Sequence, residues 1–338
     1  MTSPPPLVVA CGLVTLDVLQ DVDHVPAPDE KLVASRLDVT FGGPAANAAA
    51  TAVALGVRAR LVTALGSGPV AGLVRAGLDE AGVEVVDLLD GAPASPAVST
   101  VLVTRGTGER AVVSVNASAS GDLAGAARDR AGAVLDGADV LLLDGHHLGA
   151  ALVLAEAARA RGVPVVLDGG SWKPRTDELL AHVDHAVLSA DFHLPEDLRG
   201  AARDLRGDAP DDEEPRAVPS AGEVLGDAPS AEQDLAAVAL LGPAFVARSA
   251  GPGPVRFRLR VAGAPDPEVG TVEPPVVPRG DVVDTLGAGD VLHGAFAEQL
   301  ARGVDPVTAL TAATRVASLS VRARGARGWV AGAAAPTV

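Results

Sequence analysis

Apolar and polar positions along this chain follow two rhythms. Short continuous apolar runs alternate with longer stretches in which apolar residues recur every three or four positions. The first run, Leu7 to Ala10, ends at Cys11-Gly12 and reads as a buried strand. Leu32 to Phe41 reads as a further strand, broken by Gly42-Gly43-Pro44. Ala45 to Leu55 then forms a small-residue helix that Gly56 stops. Arg60 to Leu65 is the next strand and Val70 to Ala81 the next helix. Two β-rich runs, Val98 to Thr104 and Arg110 to Val115, flank the turn Arg105-Gly106-Thr107-Gly108-Glu109 and predict a hairpin.

From Val134 onward the alternation is regular. Val140 to Leu143, Val163 to Leu167 and Ala186 to Ser189 read as strands, with a helix over Gly149 to Ala160. Ala244 to Ala247 and Val255 to Val261 are further strands, and a long helix begins near Gly289. Such alternation predicts an α/β fold, with a mostly parallel central sheet covered by helices on both faces. Residues 1–338 read as one domain, interrupted at 199–229 by an acidic insertion. That insertion holds Asp211-Asp212-Glu213-Glu214 and several prolines, a composition of poorly ordered chain.

Composition narrows the function classes. Tyr is absent and Phe numbers only 5, so the core must be built from Ala, Val and Leu. The formal charge of −16 repels phosphate backbones and anionic membranes, which argues against nucleic acid as a partner. Cys11 is the single cysteine, which fits a reducing compartment. The N-terminal residues lack a basic and apolar leader, and no stretch approaches the roughly 20 apolar residues of a membrane span. A soluble cytoplasmic protein without membrane contact is expected.

The strongest chemical signal is Asp284-Thr285-Leu286-Gly287-Ala288-Gly289-Asp290, which runs straight into a helix. Glycines there allow the backbone to approach a ligand. Backbone N–H groups from Leu286 to Gly289, at a helix N-terminus, make a site for anionic oxygen. Asp290 in that site can take a proton from an attacking hydroxyl while the N–H groups hold phosphoryl charge. The second signal is Gly42-Gly43-Pro44-Ala45-Ala46-Asn47, where Asn47 can donate to and accept from a polyol.

With both motifs in view, the chain resembles the PfkB/ribokinase carbohydrate kinase family over nearly its whole length, outside the acidic insertion. Its wording is nearest to the fructose, ketohexose and sulfosugar kinase branches. The resemblance implies a ribokinase-like fold, with a nine-stranded type of central sheet and a small β lid formed by about 15–40 and 97–116. It implies transfer of the ATP γ-phosphoryl group to a sugar hydroxyl, with Mg2+. Asp290 matches the catalytic base, and Gly287, Ala288 and Gly289 match the anion hole. Gly42, Gly43, Asn47 and Asp17 match substrate-binding positions, with Arg110 a lid residue that could reach substrate. The lid also suggests a homodimer.

The chain departs from the family pattern in three places. Ser189-Ala190-Asp191-Phe192 stands where many relatives carry Asn-x-x-Glu, leaving Asp191 as an indirect metal contact. Ala247-Arg248-Ser249 stands in place of Thr-x-Gly, with Arg248 and Ser249 as nucleotide contacts. Leu286 replaces the common second Thr, which bears on a K+ site at Asp284. Competing readings are a nucleoside kinase and a catalytically weakened sugar or nucleotide sensor on the same fold. Gly66-Ser67-Gly68-Pro69 mimics a weak dinucleotide fingerprint, and no Walker A motif is present. Asp144, His146 and His147 form a candidate metal cluster of poor geometry.

Overall fold

The computed structural model describes residues 4–106, 109–115, 120–199 and 228–330. In its first half the strands are β1 (Leu7–Cys11), β2 (Thr15–Val22), β3 (Arg36–Gly42), β4 (Arg58–Thr63), β5 (Glu84–Asp87), β6 (Ala97–Thr104) and β7 (Arg110–Ser114). Then follow β8 (Val140–Leu143), β9 (Val165–Gly169), β10 (His185–Leu188), β11 (Phe245–Ala250), β12 (Gly253–Leu259) and β13 (Glu268–Val272). The helices are α1 (Pro44–Ala54), α2 (Pro69–Glu80), α3 (Ala124–Val134), α4 (Leu148–Arg159) and α5 (Thr176–Leu180). The last three are α6 (Ala228–Leu240), α7 (Ala288–Ala301) and α8 (Pro306–Ser320).

Nine strands form one sheet in the order β13-β12-β11-β10-β9-β8-β1-β4-β5. All pairs from β5 to β11 are parallel, and β12 and β13 add an antiparallel edge. Because successive side chains of a strand point to opposite faces, a strand buried on both faces must be apolar throughout. β1 shows this directly. Val8 and Ala10 join a core shared with α1, α2, α7 and α8, while Leu7, Val9 and Cys11 join one shared with α3, α4, α5 and α6. That two-sided demand is why the short apolar runs were legible in the sequence.

A second sheet of four strands has the order β3-β2-β6-β7. Its β6–β7 pair is the expected hairpin. β2 falls inside the lid segment expected at about 15–40, although the apolar pattern alone did not mark it, and Asp17 lies within it. β5, β13, α3 and α8 were likewise unassigned from sequence. The strand expected from Leu32 begins only at Arg36. The bulk of the acidic insertion, 200–227, lies outside the described residues, as does the centre of the 105–109 turn. Among the described residues no helix is long and apolar enough to cross a membrane.

Three of the scarce phenylalanines meet in one stack beneath α7. Phe245 lies 6.0 Å from Phe257 and 5.8 Å from Phe296, ring centre to ring centre. Phe245 and Phe296 are fully buried. Few other large side chains can fill this space, so the cluster anchors α7 to β11. Phe296→Ala is expected to cost about 3–5 kcal/mol of stability, read from urea unfolding midpoints.

Candidate active site

The inner face of the small sheet is defined by register. Asp17 on β2 stands opposite Thr40 on β3 and Ser99 on β6, and Ser99 stands opposite Ser114 on β7. These four make one polar row across all four strands. Two residues along, Asp38, Leu19, Val101 and Val112 make a more apolar row. Both rows line a cavity of about 520 Å³ whose other wall holds Asn47, Leu286, Gly287, Asp290 and Arg327. A cavity of this size suits a small molecule.

Asp17 is held by the Thr15 hydroxyl, which donates to its Oδ1 at 2.6 Å. Burial raises its carboxyl above the ordinary value, opposed by hydrogen bonds from Thr15 and Ser99 and by the Arg327 charge. Gly42 is what makes room for it: a Cβ at Gly42 would lie 1.9 Å from Asp17 Oδ2. Gly43 follows as the residue capping α1.

Gly287 caps α7 with a φ of 73°, a left-handed conformation that favours glycine, and a Cβ there would also meet Ala326 at 2.4 Å. The anion site is narrower than the sequence suggested. The Leu286 N–H donates to Asp284 Oδ1 at 2.9 Å, and the Ala288 N–H points to the Thr285 carbonyl at 3.3 Å. Gly287 and Gly289 keep N–H groups without a partner among the described residues.

Asp290 lies in the first turn of α7 and opens into the cavity. Asn47 Nδ2 donates to its Oδ2 at 2.7 Å. Burial first, and then the nearby Asp168 carboxylate, push the Asp290 carboxyl up to about 7, against the Asn47 bond and His293, which lower it. Asp168, the penultimate residue of β9, has its own carboxyl raised by burial and lies 3.3 Å from His293 Nδ1. His293 is fixed between the carbonyls of Gly289, at 2.7 Å, and Val187, at 3.0 Å. A carboxyl titrating near neutrality beside open N–H groups can accept a hydroxyl proton next to bound phosphate.

Arg327 was not anticipated. Its Nη1 donates to Asn47 Oδ1 at 2.6 Å and its Nη2 to the Phe41 carbonyl at 2.7 Å and the Thr40 hydroxyl. The guanidinium also lies over the Phe41 ring, 3.6 Å from its centre. Burial lowers its pKa to about 10, while Asp17 and Asp290 act the other way. The motif Arg324-Gly325-Ala326-Arg327-Gly328 offered a signal, since basic residues with glycines late in the chain stand out against so acidic a composition.

Several expected residues stand elsewhere. Arg110 does not line the cavity: its Nη2 pairs with Asp284 and reaches Thr285 Oγ1 at 3.1 Å. Asp284 is thereby occupied, since it also accepts from the Leu286 and Gly325 N–H groups. Arg248 is taken up by Asp234 at 2.6 Å and the Ala190 carbonyl at 2.7 Å. Ser249 donates to the Leu188 carbonyl at 3.3 Å, and Asp191 is an exposed turn residue. Asp144 spends its carboxylate on the N–H groups of Leu13, Ala45 and His146. His147 caps α4 with its Nε2 buried and unpartnered. Among the described residues no three His, Cys, Asp or Glu side chains group to hold a metal ion. The Gly66 loop is closed to a dinucleotide because Asp87 already accepts from the Leu65 and Gly66 N–H groups.

Comparison with known proteins agrees with this architecture. The pfkB family carbohydrate kinase model matches residues 5–191 and 227–330, and the chain belongs to that family of carbohydrate kinases. The ribokinase of Arabidopsis thaliana is 25% identical over 325 residues, covering 95% of this chain and 77% of that protein. Among solved structures, ribokinase from Giardia lamblia superposes with a TM-score of 0.72 at 18% identity, covering 96% of each chain. The Arabidopsis thaliana ribokinase complexed with ribose and ATP superposes with a TM-score of 0.65 at 24% identity, covering 95% of this chain and 94% of that one.

A carboxyl raised by burial burdens the fold once it ionises. The resulting destabilisation is absent below its unfolded value of 3.8, grows as pH rises, and is complete above about 7. Asp290→Asn is therefore expected to raise the thermal midpoint above about pH 7, with the gain vanishing toward pH 4, as read by calorimetry across that range.

Proposed function

We propose that this kinase transfers the γ-phosphoryl group of ATP to a hydroxyl of a neutral sugar in the cytoplasm, with Asp290 as general base. The observation that carries this reading is the placement of Asp290 and the open Gly287 and Gly289 N–H groups across one cavity from the Thr40–Asp17–Ser99–Ser114 row. The row offers a carboxylate and hydroxyls to sugar hydroxyls, and the adjoining Leu19, Val101 and Val112 suit the apolar face of a ring. A relative solved in complex with ribose and ATP, the Arabidopsis thaliana ribokinase, supports the substrate pair.

Neutrality follows from charge pairing. Of the arginines that line the cavity, Arg36 is paired with Asp38 and Arg324 with Asp21 and Asp38, while Arg327 hydrogen-bonds neutral groups and faces the Asp17 and Asp290 carboxylates, so the lining carries no net positive charge. Asp17 and Asp290 would repel an acidic sugar.

In the reaction we infer, the small sheet acts as lid and excludes water. Asp290 accepts the hydroxyl proton as the oxygen attacks, and the Gly287 and Gly289 N–H groups with the α7 dipole hold phosphoryl charge. Mg2+ usually keeps several waters and binds through substrate phosphates with few protein ligands, which fits a site without a carboxylate cage. Bound with ATP, it would offset phosphate charge. The pairing of Asp284 with Arg110 leaves no ground for a K+ site, and none is proposed.

Turnover of ATP should be measured against ketoses, aldoses, sugar acids, sulfosugars and nucleosides. Wild type is expected to act on a neutral sugar, and its kcat/KM should fall as pH drops through about 7, because protonated Asp290 cannot accept. Asp290→Asn should lower kcat at least 100-fold, on the order of a lost general base. Near-wild-type turnover in that variant would sink the assignment, and preference for an acidic sugar would overturn neutrality.

The outer face of the lid exposes Leu37 and Val113. We propose a second copy of the chain as its partner, since exposed apolar patches mark interaction surfaces. Sedimentation equilibrium should give a dimer that Val113→Lys dissociates; a monomeric wild type would refute it.

A further inference from the structure

We infer that Arg327 is a positioning residue, which fixes the Asn47 side-chain amide so that its NH2 end faces Asp290. The inference concerns the proposed base, but its test does not depend on that role.

Donors and acceptors decide the orientation of the amide. A guanidinium carries only donors, and an ionised carboxylate only acceptors. Asn47 lies between them, with Oδ1 2.6 Å from Arg327 Nη1 and Nδ2 2.7 Å from Asp290 Oδ2. Only one of the two amide orientations satisfies both neighbours. The reversed amide would set its NH2 against the guanidinium and its carbonyl against the carboxylate. Without Arg327 that penalty falls to one contact, and an Asp290 that takes up a proton can donate to the reversed carbonyl. Arg327 therefore favours the ionised, proton-accepting form of Asp290 through Asn47.

Arg327 is itself well held. Its Nη2 contacts to Thr40 and Phe41 and its stacking on the Phe41 ring come from β3, the lid strand that also carries Gly42. The relay thus begins on the lid, crosses α1 and ends on α7. Asp290 is faced by Asn47 from α1, Asp144 from the end of β8, Asp168 from the end of β9 and His293 from its own helix. Arg327 reaches it from the turn after α8, and Asp17 shares the cavity from β2. Arg327 is the cation in this group whose hydrogen bonds reach Asp290 through one intervening side chain.

The test is a carboxyl-carbon NMR titration of the substrate-free protein with labelled aspartate, the Asp290 signal being assigned by its absence in Asp290→Asn. In wild type the midpoint is expected near 7. Arg327→Met should raise it by about half a unit or more, roughly a threefold change in proton affinity, and Asn47→Leu should raise it similarly. Arg327→Lys, which keeps a charged donor, should stay close to wild type. The double variant Arg327→Met with Asn47→Leu should move little beyond the larger single shift, because the two act in series. An unchanged midpoint in Arg327→Met overturns the inference. So do shifts that add fully in the double variant, since the arginine would then act independently of Asn47. If Arg327→Met does not fold, Arg327→Gln, which lacks the charge, carries the same comparison. The titration stands whether or not Asp290→Asn loses turnover, so failure of the base assignment is seen separately.

Discussion

The close approach of α1 and α7 is the constraint on which the site depends. A Cβ at Gly294 would fall 2.4 Å from the Ala48 carbonyl oxygen and 2.8 Å from Thr51 Cβ, so the two helices meet almost backbone to backbone. The α1 face is correspondingly small, built of Ala45, Ala48, Ala49 and Ala52, all buried. Both helices begin at a glycine on the cavity wall, and their contact brings Asn47 within hydrogen-bond reach of Asp290. A helix terminus favours a nearby anion by roughly 0.3–1 kcal/mol. The rise of Asp290 from 3.8 to about 7 corresponds to about 4 kcal/mol in the other direction, so burial and neighbouring carboxylates dominate.

The strongly acidic chain uses arginine as internal cross-linking. Arg110 runs from β7 to Asp284 beside the glycine loop, and Arg324 runs back from the turn after α8 to Asp21 on β2 and Asp38 on β3. Arg327 makes a third tie to β3. The small sheet is therefore held over the cavity by ion pairs and polar contacts in addition to apolar packing. The Arg110 and Arg324 ties also set each positive charge against a carboxylate.

The central sheet was legible because burial on both faces forces continuous apolar runs, as in Val140 to Leu143. The Asp290 loop was legible because a full heptad rich in small and acidic residues, Asp284 to Asp290, leads straight into a helix late in an α/β chain. β2 was hidden, since it carries Asp17, Gln20 and Asp21 among its apolar residues and is only partly buried. The polar row could not be read at all: Thr40, Ser99 and Ser114 acquire meaning only through register with Asp17. Arg110, Arg248 and Asp284 were plausible ligand contacts by position, yet each has a protein partner distant in sequence, and one-dimensional spacing carries no information on such pairing. Arg327 was missed for the same reason, being 280 residues from Asn47.

That separation bears on how the protein is made. The cavity wall takes residues from Leu13 through Gly328, nearly the whole span of the chain. During synthesis the parallel core can begin to assemble while later segments are still on the ribosome. The pocket cannot, because the turn after α8 that closes its wall follows every other wall residue in the chain. A chain that has emerged only as far as α8 thus carries Asp17 and Asn47 without the residues that complete the wall, and has no formed pocket in which to sequester small molecules.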